Sequence, residues 1–280
     1  MSTVKGSQLP KKKAAAAPWT LRDVWKKCLC LFIFSPVFYA IALIIMMPLR
    51  FSHLEWQQKW SDDAVFDEMG RRIFRTAFFG DSLIDFTDSD YGIISHIMKK
   101  LQIAYPQLAF DAVSVGEGGD QVKRLLARVS NDVLRHNPDC ILIYFDSDAT
   151  DRIDADKSNV KNLYYDDLSQ LLQICTAQAP GCVGLGGPTL FGELPRGSNT
   201  RDAILDEYAK INAQVAAKWN VTYFHTRDIF FSKIPSYWMV PTGYLTLDGE
   251  HHNADGAKII RQIFENFLVN HYQSIAAQYH

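Results

Sequence analysis

Two kinds of apolar pattern divide the chain. From Cys28 to Met47 the stretch CLCLFIFSPVFYAIALIIMM runs for 20 residues without a charge. It is apolar on every face and long enough to cross a hydrocarbon core of about 30 Å as a helix. Beyond residue 72 the apolar runs shorten and alternate in period. IFRTAFFG (Ile73–Gly80), LAFDAVSVG (Leu108–Gly116), DCILIYF (Asp139–Phe145) and CVGLGGP (Cys182–Pro188) read as strands, and VTYFHTRDIF (Val221–Phe230) as a short strand and its exit. DCILIYF is apolar throughout, the pattern of a strand covered on both faces. Between the strands, apolar residues recur at helical spacing over Tyr91–Tyr105, Asp120–His136, Leu163–Gln178, Thr200–Trp219 and Asn253–Tyr272. Asp88 and Asp90 suit the start of the first of these helices. Alternation of strand and helix about five times predicts a three-layer α/β/α sandwich on a central parallel sheet over residues 73–280.

The uncharged run near the N-terminus admits three readings. A core helix is disfavoured by its uniform apolarity. A cleaved signal peptide would use the small residues Ala40–Ala42, but LIIMM continues the apolar run past them. An uncleaved signal-anchor over residues 28–48 fits best. Lys11, Lys12, Lys13, Arg22, Lys26 and Lys27 precede it, whereas Arg50 and Lys59 follow, and then Asp62 and Asp63. This bias puts the N-terminus in the cytosol and the rest of the chain in a lumen or outside the cell. Residues 1–27 are then a basic, disordered tail and residues 49–72 a stalk or leading helix. Asn220-Val221-Thr222 is a glycosylation sequon, consistent with that side of the membrane.

Composition adds exclusions. With 48% hydrophobic and 21% charged residues the chain has ample core material. A net charge of −2 argues against a nucleic-acid surface. Cys175 and Cys182 flank TAQAPG, a loop that a disulfide would close in an oxidising compartment, and Cys140 reads as a buried thiol. No cysteine–histidine spacing suggests zinc, and no cofactor motif stands out.

Candidate chemistry gathers at three places. Gly80-Asp81-Ser82 ends the first strand, and strand ends are where ligands bind in such sheets. A serine there can be exposed, with the following helical turn supplying partial positive charge. Asp248 and His251 stand three residues apart in LTLDGEHHNADGAK, ahead of the last helix. A carboxylate so spaced can hold the imidazole Nδ1–H, leaving Nε2 to take a serine proton. The adjacent His251 and His252 would point apart, which disfavours a metal. Gly116, Gly118 and Gly119 precede Asp120 after the second strand, where a backbone N–H can approach a ligand closely.

Together these residues resemble the SGNH/GDSL hydrolase family over roughly Ile73 to Leu268. FFGDSLIDF is similar to its first block, GEGGD to its second and DGEHHNADGA to its last. The resemblance implies an SGNH hydrolase-like, flavodoxin-like fold. It implies Ser82 as nucleophile, Asp248 and His251 as triad partners, and Ser82 and Gly119 N–H groups in an oxyanion hole. One block departs. Where the family has Gly-x-Asn-Asp, with the Asn donating to the oxyanion, this chain has DSDATD. Asp148 takes the Asn position, or Ser147 with a one-residue slip. An ionised Asp148 cannot donate.

The implied activity is an anchored esterase or lipase-like hydrolase acting on a lipid or acylated glycan ester. A weakly active or inactive module that binds a glycan, lipid or protein, and an O-acyltransferase using the same triad, stand as alternatives. Specificity would lie in Thr150–Asn162, Thr189–Asn199 and the aromatic-rich Phe230–Tyr244. The pattern carries no code for the acyl group or the oligomeric state.

Overall fold

A computed structural model describes residues 65–150, 155–234 and 243–279. The tail, the apolar run 28–48, most of the 49–72 segment and parts of the loops near 150–162 and 230–244 lie outside the described residues. Among the described residues no helix is long and apolar enough to cross a membrane.

Five strands form one parallel sheet: β1 (Ile73–Gly80), β2 (Ala109–Gly116), β3 (Cys140–Tyr144), β4 (Val183–Gly186) and β5 (Thr222–Tyr223), in the order β2-β1-β3-β4-β5. β1 pairs on both sides, with Gly80 opposite Gly116 of β2 and Tyr144 of β3. The chain thus moves outward to β2 and then crosses to β3, so the switch point of the sheet lies between the carboxyl ends of β1 and β3. Open parallel sheets bind ligands at that place.

The helices are α1 (Ser82–Tyr91), α2 (Ile93–Ala104), α3 (Val122–Asp132), the short α4 (Ser147–Thr150), α5 (Ser158–Gln178), α6 (Asp202–Lys218), α7 (Thr226–Lys233) and α8 (Ala254–Ala276). They cover both faces of the sheet because strand side chains alternate. Phe74, Phe78, Leu142 and Tyr144 pack with Leu83, Ile97, Phe230, Ile260 and Phe264 on one face. Ala77, Phe79, Ile141 and Ile143 pack with Leu125, Val129, Leu168, Leu172, Leu205 and Val215 on the other.

The helix expected over Tyr91–Tyr105 is α2, Ile93–Ala104, and a further helix, α1, precedes it. α1 starts directly after Asp81 and runs to Tyr91, Gly92 breaks it in the left-handed region at φ 57°, and α2 follows. Asp88 is a cap after all, its Oδ1 accepting from Ile94 N at 3.1 Å, but from within α1. The exit of β5 is a helix as well, α7.

The cysteine expectation is corrected. The disulfide joins Cys140 to Cys182, 42 residues apart, and Cys175 is a free, buried thiol. Ile141 of β3 pairs with Val183 of β4, so the residues just before them stand side by side and face the same way. Cys140 and Cys182 both point to the α8 face, whereas Cys175 on α5 lies in the opposite layer. The sheet separates the two cysteines that looked adjacent in sequence. Burial pushes the Cys175 thiol up to about 12.

Candidate active site

The turn after β1 is built by Asp81. It caps α1, its Oδ1 accepting from Leu83 N at 2.9 Å, and is fully buried. Its Oδ2 reaches across the switch point to Ser147, accepting from Oγ at 2.7 Å and N at 3.0 Å, and from Asp146 N at 2.9 Å. One carboxylate therefore ties the exits of β1 and β3 together. Burial raises its pKa, and these donors partly offset the rise. Ser82, the next residue, is left half-buried at the first position of α1. Its N–H is among the first of the helix, which lack partners within it.

The loop before α8 brings His251 to Ser82. His251 Nε2 lies 3.0 Å from Ser82 Oγ, and its Nδ1 lies 2.7 Å from Asp248 Oδ2. Asp248 Oδ1 also accepts from Glu250 N at 3.0 Å and His251 N at 2.8 Å, which curls the loop so that carboxylate and ring share one side. Burial acts to raise the Asp248 pKa, but the His251 ring and these two N–H groups outweigh it and hold the carboxyl below its ordinary range. Phe86, one turn along α1 from Ser82, sets its ring 4.7 Å from that of His251 and remains partly exposed. The neighbouring ring of His252 turns into the core, where its Nε2 lies 2.6 Å from Tyr144 Oη. Burial and the nearby His251 depress the His252 pKa to about 3, so this ring is neutral.

The glycine turn after β2 closes a third side. A Cβ on Gly118 would come within 3.8 Å of that of Ser82, and Gly119 sits at φ 72°, a conformation that suits glycine. The turn is held by a buried ion pair that the sequence reading passed over. Asp120 is 1% exposed and binds Arg128 Nε at 2.6 Å. Arg128 Nη2 donates to the carbonyls of Gly80 and Val115, each at 2.9 Å, so it fastens the ends of β1 and β2 to this turn. Its spacing, two helical turns beyond Asp120, was the available clue.

The departing block behaves differently. Asp148 is buried and its Oδ2 accepts from Val122 N, the first residue of α3, at 2.6 Å. Ser147 donates to Asp81, as above. Asp146 is buried, and Thr189 N and Oγ1 approach its Oδ2 at 3.4 and 3.3 Å. Burial, with the charges of Asp81 and Glu250, raises the Asp146 pKa well above the ordinary value. Among the described residues, no group of three or more metal-ligating side chains is set to hold an ion.

A hydroxyl hydrogen-bonded to an imidazole, itself held by a carboxylate, is the constellation that serine-dependent acyl transfer uses. The chain belongs to the GDSL-like Lipase/Acylhydrolase family, which it matches over residues 78–259, and so to the SGNH/GDSL hydrolases. It is 24% identical over 202 residues to an acetylxylan esterase of Geobacillus stearothermophilus, which spans 67% of this chain and 90% of that one. Among solved structures it is similar to the acetyl xylan esterase AlAXEase, with a TM-score of 0.60 and 21% identity over 69% of this chain and 98% of that one. It is also similar to Axe2, an acetylxylan esterase from Geobacillus stearothermophilus, with a TM-score of 0.59 and 21% identity over 72% and 95% of the respective chains. At such identities the structural likeness bears on the fold.

Proposed function

We propose that the chain is a membrane-anchored serine esterase that cleaves a carboxylic ester through Ser82, His251 and Asp248. The observation that carries this reading is the continuous relay from Ser82 Oγ through both ring nitrogens of His251 to Asp248. His251 Nε2 takes the hydroxyl proton as Oγ attacks the ester carbonyl. Asp248, held ionised, keeps the other ring nitrogen protonated and stabilises the imidazolium that forms. The developing oxyanion is met by the main-chain N–H groups of Ser82 and Gly119. His251 then returns its proton to the leaving alcohol, and water attacks the acyl-enzyme by the same route in reverse.

Two features favour an acylated glycan as substrate over a bilayer lipid. Curated and structural relatives are acetylxylan esterases. The exposed face of Phe86 beside His251 offers a flat apolar surface at the site. Location is part of the same proposal. Residues 28–48 anchor the chain with its N-terminus in the cytosol, and the hydrolase domain lies in a lumen or outside the cell. The Cys140–Cys182 disulfide suits an oxidising compartment, and Asn220 of the sequon is exposed.

One observation favours a second reading, a weakly active module that binds its ligand. In the block where the family carries an oxyanion donor this chain has Asp148, or Ser147 with a one-residue slip, and the loss of one such donor costs about 10²–10³ in rate. Turnover of short nitrophenyl esters by the detergent-solubilised full chain separates the two. The esterase reading expects hydrolysis and fluorophosphonate labelling, both abolished by Ser82→Ala with a loss of at least about 10⁴-fold. Absence of turnover and labelling in the unaltered chain supports the binding module.

A further inference from the structure

Glu193 lies in the loop between β4 and α6, away from the relay, and is 6% exposed. Its two carboxylate oxygens accept from a row of consecutive main-chain N–H groups: Gly243 at 2.8 Å, Tyr244 at 2.7 Å, Leu245, and Thr246 at 2.6 Å. The Thr246 hydroxyl adds a fifth donor at 3.0 Å. That segment ends two residues before Asp248. The same Thr246 Oγ1 accepts from Gly249 N at 3.1 Å, so the carboxylate is linked through one hydroxyl to the turn between Asp248 and His251. A second clamp lies alongside, where Gly192 N donates to Gly249 O at 2.7 Å. The two backbones are so close that a Cβ on Gly249 would stand 3.3 Å from Gly192 Cα, and Gly249 itself lies at φ 100°. Leu247 N donates to His251 O at 2.8 Å and closes the loop on itself.

We propose that Glu193 is a positioning residue for the reaction, a buried carboxylate that fixes the Asp248–His251 loop so that the imidazole stays within hydrogen-bonding reach of Ser82. The inference rests on the reading of Ser82, His251 and Asp248 as a working triad. The chemistry calls for a carboxylate. Each of its oxygens takes more than one donor, and it presents no hydrogen of its own to a row of N–H groups. An amide in its place would set an NH₂ against that row. Nothing local in the sequence marks the residue, because its partners are about 50 positions away.

The test uses the full-length chain in detergent, with nitrophenyl acetate as substrate and a fluorophosphonate as active-site label, well below the unfolding temperature. Glu193→Gln is expected to lower kcat by about 10²-fold, the scale of a small misplacement of reacting groups. KM should stay within about threefold, since the site that binds substrate is not altered. Labelling of Ser82 should slow in parallel, and the low-field proton resonance of the His251 ring N–H on Asp248 should broaden or vanish. Thr246→Val keeps the four main-chain bonds and removes the hydroxyl link. It is expected to lower kcat roughly tenfold, and it decides the matter alone if Glu193→Gln does not fold. Folded variants with unaltered kcat, labelling and resonance would overturn the role of Glu193 while leaving the triad standing. An unaltered chain no more active than Ser82→Ala would overturn both.

Discussion

After β1 the chain leaves a hydroxyl beside an imidazole; after β3, one strand away at the same switch point, it turns its polar groups inward. Ser82 Oγ meets His251 at 3.0 Å. Ser147, in the corresponding turn, gives both its N–H and its hydroxyl to Asp81, and Asp148 accepts from the first residue of α3. Both turns sit where the sheet topology gathers ligands. One sets a hydroxyl against an imidazole and the other mainly braces the two strand exits. A rim position therefore confers opportunity, and the partners of each side chain decide what is made of it.

The sharpest way to break this contrast is to disable the β1 side without touching the brace. Asp248→Asn should cut kcat/KM by about 10⁴-fold, because the ring loses the partner that holds its tautomer. Asp248 is exposed over more than half of its side chain, so thermal unfolding should scarcely move. A large drop in unfolding temperature with activity retained would reverse the assignment of roles.

The β3 side offers a gain. Asp148→Asn keeps an acceptor for Val122 N and adds an NH₂ donor. If the family's oxyanion geometry persists there, ester turnover should rise by about 10–10². An unchanged rate under steady-state kinetics would mean that Ser82 and Gly119 complete the hole without it.

A smaller effect separates brace from chemistry by pH. The Asp146 pKa is raised in the fold by burial and by the charges of Asp81 and Glu250. The folded state then holds a proton that the unfolded chain releases. This contributes stability at low pH and loses it as pH rises from the unfolded value of 3.8 towards the folded one. Asp146→Asn should thus unfold at a higher temperature than the parent at pH 8, by about 1 kcal/mol of stability, with the difference fading towards pH 4. A constant difference across that range, measured by calorimetry, would remove the titration of Asp146 as its cause.

Much of this was legible in the residues alone. The rhythm of short apolar runs and amphipathic stretches is local, and it predicted the parallel sheet and its helices. Ser82, Asp248, His251 and the glycine turn at Gly119 stood out because each lies at a strand or helix boundary that the rhythm marks. The helix α1 ahead of Gly92 was missed, since its many polar residues hide its periodicity.

What the chain order determined by itself was the set of elements and the strand ends at which chemistry gathers, because hydrophobic period and turn residues act over a few positions. Tertiary structure alone decided that Cys182 pairs with Cys140 rather than Cys175, that Asp81 joins two turns, that Arg128 fastens the end of β1 to the glycine loop and that Glu193 grips the segment ahead of Asp248. Each of these depends on strand register and on which face of the sheet a side chain meets. Those are properties of distant segments brought together, and no short stretch of sequence contains them.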